Sequence, residues 1–464
     1  MEPSVLSNRT SSEWVTSRRA WVGQVGLRHE NHLNCLYDVS ASRLRSELSK
    51  SLGFDIDEAN RKAAERIIAA DALLVDLKPA IKAIPGYKSD LITHAGPPIE
   101  WVRMIKVQKI AVINAIRAEG LADTAERAER LARTGEVRIE PNHNYGNVSG
   151  MCGVTSASSP VLVFKDKVHG NVATDWMQTD LTSFADKYER GIKEVEFVRE
   201  TLAPVMAATI KQAGGFNVKE LLAKGLTMGD ELHGSFDATR GVFMNWILPH
   251  IVRTGFSKET LGKVGDYFMG NGGRWYCGNL MMGGCKVMMD AAKGMKYSTI
   301  VTAMARNGVE FGIKVSALGD RWFTGPAGEI KGFVFPGFTA ADGAPDIGDS
   351  AISESRGLGG TALSASPSQA RLFGGALQEA VQHTRAMRKV SVLEDPLFRI
   401  PYMDFVGVPV GIDIRKVVEM NTVPRIDTGI AHKDGGHGII GTGIADAPME
   451  AFKKAIAAFA AEYA

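Results

Sequence analysis

Between about residues 306 and 360 the chain concentrates glycine, acidic residues and arginine in two motifs, ARNGVEFGIKVSALGDRWFTG and PDIGDSAISESRGLGG. Segments of this composition contribute little to a hydrophobic core. Glycine allows positive φ angles and a close approach of the backbone to a ligand, and successive N–H groups in such turns form concavities that bind anions. The segment therefore predicts a small-molecule active site lined by backbone N–H groups and fixed charges.

The overall composition argues against several classes of protein. The net charge of the 464 residues is only +2 and no basic stripe appears, so we expect no nucleic-acid partner. The segment GVFMNWILPHIV is the most apolar one and has about 12 residues, whereas a membrane-spanning helix needs about 20, so we expect no membrane contact. The four cysteines lack metal-finger spacing and fit a reducing cytoplasm. They are Cys35, Cys152, Cys277 and Cys285.

The order of strand and helix patterns predicts a mixed α/β (α+β) fold with several domains. Residues 1–55 form a predicted N-terminal extension, and residues 56–178 alternate strands with helices. Residues 179–296 are mainly helical in periodicity, and residues 297–464 form a glycine-rich α/β part. We therefore expect a helical domain between two mixed α/β parts. The apolar helices within residues 236–295 favour a homo-oligomer.

The arginines of the first motif are candidates for binding a small anion. The planar guanidinium groups of Arg306 and Arg321 suit a carboxylate or a phosphate, and Asn307 follows Arg306 directly. The alternative is a structural ion pair with a nearby acid such as Asp346 or Asp349. Both interpretations are open at the level of sequence.

The second motif brings Asp349, Ser350 and Glu354 together. Such a cluster could orient an amide, act as a general base or hold a divalent ion. The alternative is an Asx-turn followed by helix capping, with Asp349 or Ser350 as the N-cap. The spacing matches no standard metal loop.

Two glycine-rich loops carry histidines. PNHNYGNVSGMCG places His143 and Asn144 just after a predicted strand, where His143 could polarise a carbonyl or move a proton. DTGIAHKDGGHGIIGTG places His432 and Lys433 in a loop that wraps a ligand or packs against the 306–360 segment. The alternative for each histidine is a surface position without a role.

One further motif, MGDELHGS, contains Asp230, Glu231 and His233. Two carboxylates and a histidine could bind a metal, but the HExxH order is absent and structural pairing is at least as good an interpretation. We therefore predict no metal and no cofactor.

Several of these segments together resemble the YlbE-like family, some members of which are implicated as a subunit of oxamate carbamoyltransferase. The resemblance covers about residues 57–464. It is carried by the motifs HAGPPIEW, GVTSASSPVLVF, TMGDELH, TAMARNGVEFGIKVSALGDRWFTGPA, PDIGDSAISE, GIDIRKVVE and IDTGIAHKDGGHG.

The resemblance implies carbamoyl transfer to or from an oxamate-like acceptor, and the residues agree with a small carbamoyl, ureido or amide substrate. The alternatives are an amide or ureido hydrolase, with or without a metal, and a non-catalytic subunit whose partner performs the chemistry. The predicted catalytic residues are His143, Asp349 and His432. The predicted substrate-binding residues are Arg306, Asn307, Arg321, Asn144, Ser350, Glu354 and Lys433.

Overall fold

The computed structural model describes residues 55–177, 188–372 and 375–463, with side chains from residue 191 onward in the second range. The predicted N-terminal extension lies outside these ranges, apart from its last residue. The predicted boundary at residues 178 and 179 also lies outside them, and the boundary at residue 296 stays a prediction.

The first sheet is built on two apolar strands, β1 (Ala72–Pro79) and β6 (Pro160–Asp166), which pair antiparallel. Their valine, leucine and phenylalanine side chains suit a pleated surface that is buried. Helix Asn271–Asp290 packs closely on this sheet because Gly283 faces the Phe164 ring, where a Cβ atom would overlap it. The strand order is β4–β7–β6–β1–β8, where β4 is Asn147–Val148, β7 is Val172–Trp176 and β8 is Phe216–Asn217.

The first α/β part also contains a smaller sheet. Its middle strand β2 (Leu91–His94) pairs parallel with β3 (Arg138–Pro141) and antiparallel with β5 (Val154–Thr155). Because β2 and β3 run parallel, the loops after them emerge at the same edge. The motifs HAGPP and PNHNYG are therefore brought together there.

The glycine-rich part contains a four-stranded sheet whose strand β9 (Val301–Asn307) is buried along its whole length. It pairs antiparallel with β10 (Glu310–Val315) through a turn at Gly308, which has a φ of +84°. Asn307 stabilises this turn because its side-chain oxygen accepts the N–H groups of residues 309 and 310. The order is β11–β10–β9–β13, where β11 is Phe323–Pro326 and β13 is Ile347–Gly348.

Two further sheets complete the glycine-rich part. The first is three-stranded, in the order β12–β17–β16, where β12 is Lys331–Val334, β16 is Arg425–Ala431 and β17 is Ile439–Asp446. The second pairs β14 (Ser391–Ile400) with β15 (Val406–Ile412).

The helical region fills residues 188–290, interrupted by the short strand β8. Side chains of Asn217 and Ser257 cap two of its helices by accepting backbone N–H groups three residues ahead. A π-helical turn, Val198–Leu202, joins the first two helices. The α-helices of the described residues are Ile56–Ala69, Ala80–Ala83, Lys106–Ala118, Ala125–Thr134, Tyr188–Phe197, Ala203–Ala213, Val218–Thr227, Asp237–Ile251, Lys258–Met269, Asn271–Asp290, Ile352–Arg356, Pro367–Leu372, Leu377–Val390, Ile414–Glu419 and Met449–Tyr463.

The largest hydrophobic core joins the three parts of the chain. It contains Leu74 and Phe164 of the first sheet, Tyr276 and Met288 of helix Asn271–Asp290, and Val410 of β15. The fold class expected from the sequence, mixed α/β with a helical region between two mixed parts, is confirmed.

Candidate functional site

A cavity of about 1190 Å³ lies between the helical region and the glycine-rich part. One wall is a stripe of helix Asn271–Asp290 that repeats every three or four residues, as the exposed face of a helix does. The opposite wall comes from the loop before β17 and from the ends of β16 and β17. Its lining includes Met151, His233, Phe236, Asn271, Arg274, Trp275, Gly278, Met281, Met282, Ser350, Thr428, His437 and Gly438.

Three ionisable side chains from distant segments meet behind one wall of this cavity. His233 Nδ1 lies 2.8 Å from Glu354 Oε1 and 2.9 Å from Asp427 Oδ1. His233 lies in the loop before helix Asp237–Ile251, Glu354 in the short helix Ile352–Arg356, and Asp427 in β16. All three are buried, and His233 lines the cavity. We call these three residues the acid–histidine cluster.

The loop that presents His233 is shaped by its own acidic residues. The Glu231 carboxylate accepts the backbone N–H groups of His233 and Ser235, at 3.3 and 2.8 Å. Asp230 accepts the backbone N–H and the hydroxyl of Thr239, both at 2.7 Å, at the start of the next helix. Asp230 and Glu231 therefore take the structural role that the sequence left open, and the imidazole is left to face the other acids.

The cluster holds its charges in a dry environment. Burial lowers the pKa of His233, but Glu354 and Asp427 outweigh this effect and raise the pKa to about 10. Burial acts against ionisation of Glu354, yet His233 lowers the pKa of this carboxyl to about 2. Burial raises the pKa of Asp427 well above its ordinary value, and His233 only partly offsets this effect. One cationic ring therefore faces two carboxyl groups of unequal acidity.

Asp349 forms a separate buried network. Its Oδ1 accepts the backbone N–H of Gly96 at 2.8 Å, and its Oδ2 accepts from Asn142 Nδ2 at 2.9 Å and from the Ser149 N–H at 3.0 Å. Residue 96 must be glycine, because its φ is +93° and a Cβ would lie 2.5 Å from the Arg306 carbonyl oxygen. Burial raises the pKa of Asp349 to about 6 in spite of these donors.

His143 lies beside Asp349, with Nε2 3.5 Å from Oδ1, and is fully buried against the edge of the Trp322 ring. Burial, together with the positive charges of nearby lysines, lowers the pKa of His143 well below its ordinary value. The ring is therefore neutral at physiological pH. It is not part of the cavity lining.

Arg306 is buried and uses all five N–H groups within the protein. It binds Asp346 with two parallel hydrogen bonds of 2.8 and 2.9 Å. Its remaining donors reach the Gly348 carbonyl at 2.8 Å, Ser350 Oγ at 3.3 Å and Thr428 Oγ1 at 3.1 Å. Ser350 and Thr428 both line the cavity. Arg306 therefore fixes the cavity wall from behind and has no donor left for a ligand.

The other sequence-predicted residues lie outside the cavity lining. Arg321 is half exposed and pairs with Glu462. Asn144 accepts hydrogen bonds from Lys314 and Trp322. Asn307 stabilises the turn between β9 and β10, and Lys433 donates to the Ala341 carbonyl. The His432 ring lies 4.5 Å from the ring of the cavity residue His437 and is tilted against it.

Comparison with known proteins identifies relatives over most of the chain. Residues 137–350 match the family model described as oxamate carbamoyltransferase subunit AllG. The oxamate carbamoyltransferase subunit AllG of Escherichia coli (strain K12) is 36% identical over 411 residues, 87% of this chain and 98% of that protein. The uncharacterized protein YahG of the same organism is 39% identical over 411 residues, 88% of this chain and 87% of YahG.

The chain belongs to the AllG family. A crystal structure of a conserved protein of unknown function from Enterococcus faecalis V583 shares its fold, with a TM-score of 0.85 and 36% identity over 88% of this chain and 98% of that one. The chain is thus related to a carbamoyltransferase subunit. Among the described residues of this AllG-family chain, no helix combines the length and the apolar character needed to cross a bilayer.

Two features of the AllG-family site were not predicted from the sequence. Arg274 donates through Nη2 to the Gly234 carbonyl, and its buried Nε has no acceptor among the described residues. Its guanidinium lies 5.4 Å from the centre of the Trp275 ring. The spacing of Arg274, Gly278 and Met281 on one helix face is a signal that could have identified this wall. The second feature is Asp427, which the sequence does not reveal because a single acid in a strand pattern has no local signature.

Proposed function

We propose that this chain is the substrate-binding subunit of a carbamoyl-transferring enzyme of the oxamate carbamoyltransferase type. Its ligand would be a small carboxylate that carries a carbamoyl, ureido or amide group. The observation that carries the proposal is the Arg274 guanidinium, which lines the cavity beside the His233 loop and is held there by the Gly234 carbonyl. The 36% identity to a protein named as an oxamate carbamoyltransferase subunit supports the reaction type.

Arg274 would hold the ligand carboxylate. The Gly234 carbonyl fixes the direction of its guanidinium, so less side-chain freedom is lost when a carboxylate binds the remaining donors. Ser350 and Thr428 line the same cavity, and Arg306 donates to both hydroxyl oxygens. The Thr428 hydroxyl donates in turn to Asp346, so Ser350 is left to orient the carbamoyl or amide group.

In the transfer itself, a bond forms between the acceptor atom and the carbamoyl carbon while the bond to the leaving group breaks. Negative charge develops on the carbamoyl oxygen during this step, and fixed N–H and O–H donors stabilise it. His437 and Gly438 line the cavity, and their backbone would supply N–H donors besides the Ser350 hydroxyl.

The sequence-predicted residues take different parts in this proposal. Ser350 contacts the ligand, while Arg306 and Asp349 hold Ser350 in position from behind the cavity wall. Proton transfer by His143 or His432 stays a prediction, because neither ring is part of the cavity lining. The same holds for ligand contacts by the remaining predicted residues, which are Asn144, Asn307, Arg321, Glu354 and Lys433.

We also propose that the chain works with partner subunits in the cytoplasm, because the AllG relative is named as a subunit. Assignment to the YlbE-like family is part of this proposal and is carried by the motifs HAGPPIEW and PDIGDSAISE. Self-association stays a prediction. The relatives' names give no support to the hydrolase alternative.

A matched pair of arginine variants tests the proposal. Arg274→Gln removes the charge at the cavity wall, and Arg321→Gln removes the charge of a half-exposed arginine that the sequence also suggested. Carbamoyl transfer to a panel of small carboxylates is measured with carbamoyl phosphate as donor, for the chain alone and for the chain co-purified with its partner subunits. Loss of a charge-assisted hydrogen bond should lower kcat/KM about 10- to 100-fold for Arg274→Gln.

Arg321→Gln distinguishes the two arginines, because the proposal places the loss of kcat/KM in Arg274→Gln, whereas a ligand contact by Arg321 requires a loss in Arg321→Gln as well. Wild-type kinetics in Arg274→Gln would remove this arginine from the site. Transfer that proceeds at the same rate in partner subunits without this chain would show that the chain is not the substrate-binding subunit.

A further inference from the structure

We propose that His233, Glu354 and Asp427, the acid–histidine cluster, form a binding site for one divalent transition-metal cation, Zn²⁺ or Mn²⁺. The sequence motifs suggest a metal for His233 and for Glu354 separately, but nothing in the sequence joins these two residues to Asp427, because the three are far apart in the chain and follow no standard spacing. In the fold, one ligand atom from each residue lies within 4.8 Å of the other two.

The distances fit ligands that surround one point. The same ring nitrogen, His233 Nδ1, lies 2.8 Å from one carboxylate oxygen and 2.9 Å from another. A single N–H group can point well at only one of them. Ligand atoms that bind a cation at about 2.1 Å and about 90° to one another are about 3 Å apart. The cluster therefore has the spacing of adjacent metal ligands.

The carboxyl group of Asp427 also indicates a bound cation, independently of the distances. Its carboxylate is fully buried, and Oδ2 accepts no hydrogen bond from any described residue. Buried polar atoms normally have a partner, so the unpaired Oδ2 of a carboxyl group whose Oδ1 faces His233 points to a ligand.

The surroundings hold the ligands in place as outer-shell groups do in metal sites. Glu354 Oε1 accepts the Gly360 N–H at 2.9 Å, and Oε2 accepts the Ser353 hydroxyl at 2.7 Å. Residue 359 has a φ of +56°, and a Cβ there would overlap Glu354 Oε1 and lie 3.0 Å from Asp427 Oδ1. Only glycine allows the loop to pass this close to the two acids.

The donor set and its position suggest what the cation would do. One imidazole nitrogen and two carboxylate oxygens suit Zn²⁺ or Mn²⁺, whereas the absence of thiolates from the set disfavours soft cations such as Cu⁺. Of the three ligands only His233 lines the cavity, so the cation would lie behind this wall and hold the His233 ring in place there.

The experiment uses the full-length chain after treatment with a chelator and dialysis. Zn²⁺ and Mn²⁺ are titrated separately by calorimetry, and Co²⁺ is titrated as a spectroscopic probe by its visible absorption. The variants are His233→Gln and Asp427→Asn, and the matched control is His94→Gln, which changes a buried histidine of β2. Circular dichroism and thermal unfolding show whether each variant folds, and Glu354→Gln replaces any variant that does not.

We expect the wild-type chain and His94→Gln to bind one equivalent of Zn²⁺ or Mn²⁺. Each folded cluster variant should bind the same cation at least about 10-fold more weakly. Failure of the wild-type chain to bind either cation at one equivalent would overturn the proposal, as would unchanged Kd values in the folded cluster variants. The readout is binding, so its result does not depend on carbamoyl transfer.

Discussion

The Asp349–Arg306 network, which comprises these two residues and their hydrogen-bond partners, and the acid–histidine cluster are both buried and both charged. Each includes an acid of the motif PDIGDSAISE, yet the two regions differ in how their polar atoms are used. In the network, Arg306 donates all five N–H groups to acceptors within the protein, and the two Asp349 oxygens accept three hydrogen bonds. In the cluster, one oxygen of Asp427 accepts none. Saturated groups stabilise the fold, whereas the unused oxygen is available to a ligand.

The largest effect on stability is expected for Arg306, whose N–H groups are all hydrogen-bonded within the protein. Arg306→Ala leaves the buried Asp346 carboxylate without its counter-charge and should lower the free energy of unfolding by about 3–5 kcal/mol. Urea denaturation measures this change. Arg321→Ala, at a half-exposed pair, should change the unfolding midpoint little.

A double variant sharpens this first prediction. Arg306→Met combined with Asp346→Leu removes both charges and should recover much of the lost stability, since buried pairs can be replaced by apolar groups. If Arg306→Ala is as stable as the wild type, the view of Arg306 as a structural group fails.

The second prediction concerns pH. Burial raises the pKa of Asp349 from 3.8 to about 6, so the folded chain holds this proton more tightly than the unfolded chain does. The corresponding stability is complete below about pH 4 and is lost as the pH rises through about 6, a change on the order of 2–3 kcal/mol. Urea denaturation from pH 4 to pH 7 should show this loss in the wild type and not in Asp349→Asn.

Asp395 provides a control of opposite sign. Burial favours its neutral form, but Arg356 outweighs this effect and holds the pKa of Asp395 below its ordinary value. Its contribution to stability is present at neutral pH and is lost as the pH falls through the lowered pKa.

For the Asp349 prediction, an identical dependence of the free energy of unfolding on pH in the wild type and Asp349→Asn would show that the Asp349 proton does not contribute.

The fold class could be predicted from the sequence because the spacing of apolar residues and the residues that end a helix or strand are local properties. The apolar run of β9 is one such signal. Another is Gly135, which takes the left-handed conformation at the end of helix Ala125–Thr134. The motif DTGIAHKDGGHGIIGTG predicts a loop up to Gly443, but from residue 439 onward the chain forms strand β17. Gly441 and Gly443 belong to tight strand packing, since Cβ atoms there would lie 2.6 and 2.5 Å from carbonyl oxygens of β12.

The site was less accessible to sequence reasoning than the fold. Ser350 stands out locally because it sits in a dense acidic motif, and it does line the cavity. Arg306 stands out equally, but whether its donors are used depends on Asp346 and Thr428, which only the tertiary structure brings to it. The acid–histidine cluster joins three segments that no periodicity connects. Which polar groups remain unsatisfied is a property of the folded chain alone.

The smallest effect is expected at Asp427 in the metal-free protein. Asp427→Asn breaks no hydrogen bond at Oδ2, and the amide oxygen can still face His233 as Oδ1 does at 2.9 Å, so the free energy of unfolding should change by about 1 kcal/mol or less. With Zn²⁺ or Mn²⁺ at 100 times the Kd, the wild type should gain about 2.7 kcal/mol that the variant lacks. Denaturation with and without cation measures both values. A large loss in the metal-free variant would place Asp427 with the saturated groups and end the contrast between the two regions.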